Sequence, residues 1–134
     1  MDVVDELDIE FVNDIRKRVK SVDKNAYVIG EVWEDASTKI AYSKRRPYLQ
    51  GNQLDGVMNY PFKNAIIDYV WNKDINKFIN NIMTIYENYP LCALNSCMNF
   101  LGTHDTVRAL NMFCDYNIDG TSKQDRLQIK LPED

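Results

Sequence analysis

Ala26-Tyr27-Val28-Ile29-Gly30-Glu31-Val32-Trp33 is the stretch on which the architecture turns. Ala26 to Ile29 form a compact apolar run rich in β-branched residues, the pattern of a strand buried on both faces. The run stops at Gly30-Glu31, so a carboxylate stands at the C-terminal end of the predicted strand. The segment before it, Ile9 to Lys20, has helical period: Phe11, Val12, Ile15 and Val19 share one face, with Asp8 placed to cap it. Arg16, Lys17, Arg18 and Lys20 load the half of that helix where cations suit the dipole.

Beyond Glu31, Trp33 to Gln53 is polar, aromatic and basic with Pro47 and Gly51 as breakers, which predicts a long functional loop. Gly56-Val57-Met58 reads as a second short strand. Phe62, Ala65, Ile66, Tyr69 and Val70 then repeat at helical spacing. A cleaner stripe, Ile75, Phe78, Ile79, Ile82, Met83 and Tyr86, follows a cap at Asp74 and is expected to be core. Pro90 closes it. A third strand, about Met98 to Leu101, leads into Gly102-Thr103-His104-Asp105. Val107, Leu110 and Phe113 predict a short helix before a turn at Asp119-Gly120, and the closing residues give a weak helix ended by Pro132. Short apolar runs alternating with helical segments predict an α/β domain of βα units on a parallel sheet.

The length suits one domain over residues 1–134. A net charge of -4 and a single short basic cluster, Lys44-Arg45-Arg46, argue against a nucleic-acid partner. No run approaches the roughly 20 apolar residues of a membrane span, and the N-terminus has no signal-peptide pattern. Cys92, Cys97 and Cys114 are odd in number, lack C-x-x-C spacing and sit among apolar residues, so they are expected to fill core in a reducing, cytoplasmic setting. With one histidine and no close thiol pair, a zinc site lacks ligands, and no metal or cofactor is expected.

Acids recur at one kind of place. Glu31 ends the first strand, Asp105 follows the third, and Asp2 precedes the first helix as if a strand had ended there. In parallel βα architectures the C-terminal strand ends converge on one face, where catalytic groups collect. Cleavage of a glycosidic bond needs such convergence, because one carboxylic acid protonates the leaving oxygen while a second carboxylate attacks the sugar carbon.

The local words around these acids resemble segments of the α-amylase family. Met1-Asp2-Val3-Val4-Asp5-Glu6 resembles the tail of the segment holding the nucleophilic aspartate, which implies that role for Asp2. Gly30-Glu31-Val32-Trp33 resembles the segment of the general acid/base, implying Glu31. Phe100-Leu101-Gly102-Thr103-His104-Asp105 resembles the segment with a substrate-binding histidine and a transition-state-stabilising aspartate, implying His104 and Asp105. Val57-Met58-Asn59-Tyr60-Pro61-Phe62 resembles the sixth-strand segment of the neopullulanase and cyclomaltodextrinase branch, which points to α-glucans, malto-oligosaccharides or cyclodextrins as substrate, with Trp33, Asn59 and Tyr60 as further sugar contacts.

The resemblance implies a partial (β/α)8 barrel, from the end of strand four through the helix after strand seven, with upstream strands and strand eight lying outside the chain. It also implies retention through a covalent glycosyl intermediate, for which the Asp2 and Glu31 carboxyls should stand about 5 to 5.5 Å apart. A whole barrel needs about 250 residues. A part of one exposes sheet edges, so self-association and little hydrolysis by the chain alone are expected. The competing readings are plainer. Glu31 alone would serve as a cap or surface ion-pair partner, His104 and Asp105 as capping groups, and Trp33 and Tyr60 as core aromatics; Asp5 and Glu6 read as solvated or capping groups. On those readings the chain is a non-catalytic sugar-binding module, an inactive fragment or an unrelated α/β domain.

Overall fold

Asp8 starts the first helix as its residue type requires: in α1 (Ile9–Val22) its side chain accepts the Glu10 N–H at 2.9 Å. The computed structural model describes residues 1–113 and 122–128. These fall into two units, Met1–Phe100 and Leu101–Asp134. The expected turn at Asp119-Gly120, Cys114 and the stop at Pro132 lie outside the described residues.

In the first unit α1 leads to β1 (Ile29–Gly30). The loop after it contains a two-stranded hairpin, β2 (Ile40–Ala41) and β3 (Lys44–Arg45), before β4 (Gly56–Val57). β1 and β4 are parallel, with Ile29 opposite Gly56 and Gly30 opposite Val57. The parallel pattern extends to both sides. Met98 bridges Met58, and the Met1 amino group donates to the Ile29 carbonyl at 2.6 Å while the Glu31 N–H donates to the Met1 carbonyl at 2.9 Å. Met1, Gly30, Val57 and Met98 are thus successive rungs of one parallel arrangement, and Asp2 leaves its C-terminal end.

The strands are shorter than expected. Val28, inside the anticipated Ala26–Ile29 strand, gives its N–H to the Asp55 carboxylate at 2.8 Å instead of to a ladder. Asp55 also pairs with Arg16 and Lys20 of α1, each at 2.9 Å, so one half-buried carboxylate fastens helix to sheet. The third strand contracts to the single rung at Met98, because the side chain of Asn99 turns to Asn59 and the ring of Phe100 to Tyr60. β4 runs so close to the chain at Ser96 that a Cβ on Gly56 would lie 2.3 Å from the Ser96 carbonyl oxygen, and only glycine fits.

Two longer helices cover this sheet. α2 (Tyr60–Asn72) is capped by Asn59, carries Pro61 in its first turn and ends at Lys73 in the left-handed region. α3 (Ile75–Asn88) is capped by Asp74, which accepts the Lys77 N–H at 3.0 Å. They pack together with the Tyr69 and Phe78 rings 5.1 Å apart. A short α4 (Leu91–Leu94) follows Pro90.

The core gathers Val4, Val12, Val28, Val32, Tyr48, Leu54 and Val57, with Ile85, Tyr89 and Ala93 from the α3–α4 side. The α3 stripe is therefore corrected: Ile75, Ile79, Met83 and Tyr86 are exposed, and Ile85 is the α3 residue that is buried. Helical period identifies an apolar face; it does not supply a neighbour for it. Cys92 is likewise exposed rather than core-filling, and Cys97 is half-buried; both are free thiols.

In the second unit, Thr106 Oγ1 accepts the Thr103 N–H at 2.9 Å ahead of α5 (Ala109–Phe113). Ser122 and Asp125 cap each other reciprocally at the start of α6 (Lys123–Gln128). Among the described residues no helix is long and apolar enough to cross a membrane.

Candidate active site

Glu31 follows β1 at the sheet's C-terminal end and is only 6% exposed, so its carboxylate needs partners to stay charged. It has them. Oε2 accepts the Val3 N–H at 3.0 Å, and Oε1 accepts the Trp33 indole N–H at 3.0 Å and the Tyr60 hydroxyl at 3.2 Å. Asp2 is near enough to the same carboxyl to help lower its pKa.

The Val3 N–H holds Glu31 below the ordinary carboxylate value of 4.5; burial pulls the other way, and Asp2, Trp33 and Tyr60 add to the lowering.

Val3 itself is unusual. A β-branched residue, it adopts φ 41° and ψ 45°, a left-handed conformation that its side chain disfavours. That turn of the backbone aims the Val3 N–H at Glu31 and starts a one-turn 3-10 helix, Val4–Glu6.

The aromatic residues divide by exposure. Trp33 is 45% exposed and stacks on Tyr60 with centroids 4.6 Å apart and planes 14° apart. Tyr60 is 1% exposed, held between Trp33 and the edge-on Phe100 ring at 4.8 Å. Its hydroxyl donates to Glu31. Asn59, also expected to touch sugar, is 2% exposed; its Oδ1 accepts the Phe62 N–H and its Nδ2 donates to Asn99 Oδ1 at 3.0 Å. Both ends of that amide are committed to the fold. Nearby Lys63 is buried with its amine 5.9 Å from the Tyr60 ring, and burial lowers its pKa.

Asp2, Glu31, Trp33 and Tyr60 therefore form one constellation. His104 and Asp105 form a pair of their own in the second unit, with Nε2 to Oδ2 at 3.3 Å and the imidazole side chain 83% exposed. Asp105 caps no helix: α5 begins at Ala109, and the Asp105 N–H donates to Thr103 Oγ1 at 3.3 Å. Among the described residues no group of three or more His, Cys, Asp or Glu side chains is placed to hold a metal ion.

Asp5, expected to be a solvated or capping group, is instead gripped by residues of the loop after β1. Asp5 accepts the Tyr48 hydroxyl at 2.7 Å and pairs with Lys39 at 2.9 Å, and buried Arg46 donates to the Asp5 and Leu7 carbonyls at 2.7 and 2.8 Å. Lys39 also pairs with Glu34, and the Tyr42 hydroxyl donates to Glu6. Burial, then Asp5, pushes the Tyr48 hydroxyl far above its ordinary value. A short basic run offers no local signal for partners some forty residues away.

Residues 5–131 match the family model for the α-amylase catalytic domain, and Asp2 lies just ahead of the matched stretch. The chain is 37% identical over 114 residues to a cyclomaltodextrinase of Thermoanaerobacter pseudethanolicus, covering 84% of this chain and 18% of that protein. It is 34% identical over 112 residues to neopullulanase 2 of Thermoactinomyces vulgaris, covering 82% and 18%. A solved cyclomaltodextrinase structure superposes with a TM-score of 0.72 at 34% identity, covering 84% of this chain and 18% of that one. The chain thus spans less than a fifth of the length of these relatives. With parallel rungs, helical crossovers before β1 and after β4, and this structural neighbour, the fold is a partial (β/α)8 barrel. The chain belongs to the α-amylase catalytic-domain family.

Proposed function

We propose that this chain supplies the acid pair of a retaining glycoside hydrolase acting on α-1,4-glucans, malto-oligosaccharides or cyclodextrins, and that it corresponds to the end of barrel strand four through the helix after strand seven. The observation that carries the reading is the buried Glu31 carboxylate at the C-terminal end of a parallel sheet, met by the Val3 N–H next to Asp2 and by the indole of half-exposed Trp33. In the proposed reaction the Asp2 carboxylate attacks the anomeric carbon as the bond to the leaving oxygen breaks, and Glu31 gives that oxygen its proton. Glu31 then takes a proton from water as the water oxygen displaces Asp2 from the same carbon. His104 and Asp105 hold the distorted sugar.

At rest Glu31 is held below its ordinary value, the reverse of what the acid step needs; in the proposed complex an ionised Asp2 close by favours the protonated form of Glu31. We place the parent protein in a reducing, cytoplasmic setting, which the free Cys92 and Cys97 thiols support. Self-association of the chain on its own through open sheet edges belongs to the same proposal; a monomeric mass by light scattering at high concentration refutes it.

The test replaces the matched stretch of the Thermoanaerobacter cyclomaltodextrinase with this chain and follows maltoheptaose cleavage by proton NMR. The first product should carry the α-anomer, and Glu31→Gln should lower kcat by about 10²–10⁴-fold. Binding without turnover, indifferent to Glu31→Gln, would instead assign a non-catalytic sugar-binding role.

A further inference from the structure

The acid pair depends on a backbone conformation that Val3 does not favour, and the groups that hold it come from the loop after β1. Asp2 and Val3 both meet Glu31, and they are followed at once by the 3-10 turn Val4–Glu6. One helical turn with no side-chain cap at its start cannot hold a strained residue by itself. The loop does so from outside. Arg46, 6% exposed, spans the turn by donating from Nη2 to the Asp5 carbonyl and from Nη1 to the Leu7 carbonyl. Tyr48, fully buried, and Lys39 close on the Asp5 carboxylate.

We propose that Arg46, Tyr48 and Lys39 form a positioning brace which, through Asp5, keeps Val3 in its left-handed conformation and so sets the contact of Asp2 and the Val3 N–H with Glu31. None of the three touches Glu31 in the contacts described above; they act through the turn. Arg46 is well suited to the task because a planar guanidinium reaches two carbonyls at once, which a lysine ammonium at the same place does not reproduce. Asp5 is the joint: its carbonyl takes Arg46 while its carboxylate takes Tyr48 and Lys39.

The inference rests on reading Asp2 and Glu31 as the acid pair, but its test reads geometry rather than turnover, so either can fail alone. In the full chain carrying ¹³C-labelled glutamate, the Glu31 carboxyl is titrated by NMR in the wild type, Tyr48→Phe, Arg46→Lys and, as a control, Arg16→Gln, which removes an ion pair of similar burial at Asp55. Tyr48→Phe and Arg46→Lys should each raise the Glu31 midpoint and broaden or shift the Val3 amide resonance, while Arg16→Gln lowers stability and leaves both unchanged. An unmoved Glu31 midpoint in folded Tyr48→Phe overturns the brace, as does an equal shift in Arg16→Gln. Tyr48→Phe removes one oxygen and keeps the ring, so it decides the matter even where Arg46→Lys does not fold.

Discussion

Replacing Gly56 with alanine should unhinge the sheet that carries the site. The added Cβ would lie 2.3 Å from the Ser96 carbonyl oxygen, 2.5 Å from its carbon and 2.9 Å from the Cys97 nitrogen, against ordinary contacts of 3.4–4 Å. Every one of these atoms is backbone, so no rotamer change relieves the clash; β4 and the 96–98 segment must separate by about an ångström. The two hydrogen bonds that join them, Met98 N–H to Val57 and Asn59 N–H to Met98, are 2.9 Å each and do not survive that movement. Overpacking of about 1–3 kcal/mol and two net hydrogen bonds of about 1 kcal/mol each amount to roughly 3–5 kcal/mol.

With a urea slope of about 2 kcal/mol per molar, the unfolding midpoint should fall by about 2 M, read by Trp33 and Trp71 fluorescence. Gly51→Ala is the comparison. Gly51 has φ 92° but nothing within 4 Å, so only backbone strain of about 1 kcal/mol applies. A Gly56→Ala midpoint within about 0.3 M of wild type, or equal to that of Gly51→Ala, refutes the packing argument.

Leu54→Ala, at a core position only 2% exposed, should cost about 2–5 kcal/mol, whereas Ile79→Ala on the exposed α3 stripe should stay within about 1 kcal/mol; equal losses in chemical denaturation would restore the stripe to the core. Asp55 is pushed up by burial, but Arg16, the Val28 N–H and Lys20 outweigh that and hold it below its ordinary value of 3.8. A depressed folded-state pKa contributes stability that is present above the unfolded value and lost as pH falls through the folded one. Thermal scans should therefore show Tm dropping below about pH 4 in the wild type, and less steeply in Asp55→Asn; parallel curves would contradict the pairing. Tyr60→Phe keeps the ring stack and deletes one donor to Glu31, so Glu31 should titrate higher with a stability loss of about 1 kcal/mol, and an unchanged NMR titration would dismiss that hydrogen bond.

Much of the helical framework was legible because its signals are local. Asp8 and Asp74 cap the helices they were expected to cap, and the ends of α1 and α3 follow from their own residues. The strands were legible as places and not as lengths: those expected at Ala26–Ile29 and Gly56–Met58 pair at Ile29-Gly30 and Gly56-Val57, but Asp55 takes the N–H of Val28 and shortens the ladder. The hairpin in the loop was hidden because its turn uses Tyr42 and Ser43 at φ 52° and 60°, where glycine or asparagine is the usual marker.

At the site, Glu31 was legible as the carboxylate that ends a strand, and Asp2 only through the segment it resembles. That Asn59 caps α2 and that Tyr60 donates to Glu31 was not legible, since both contacts depend on the packed fold. The grip of Arg46, Tyr48 and Lys39 on Asp5 arises only when residues 34 to 43 positions apart meet, and nothing in either local stretch announces it.

The central claim is that Asp2 and Glu31 are the working acid pair of an α-glucan hydrolase, and trapping the covalent intermediate tests it most directly. A 2-deoxy-2-fluoro-α-glucosyl fluoride probe, given to the cyclomaltodextrinase carrying this chain with Glu31→Gln, should leave one glycosyl group that peptide mass spectrometry locates on Asp2. Label on another residue, or turnover undiminished in both Asp2→Asn and Glu31→Gln, would contradict the account.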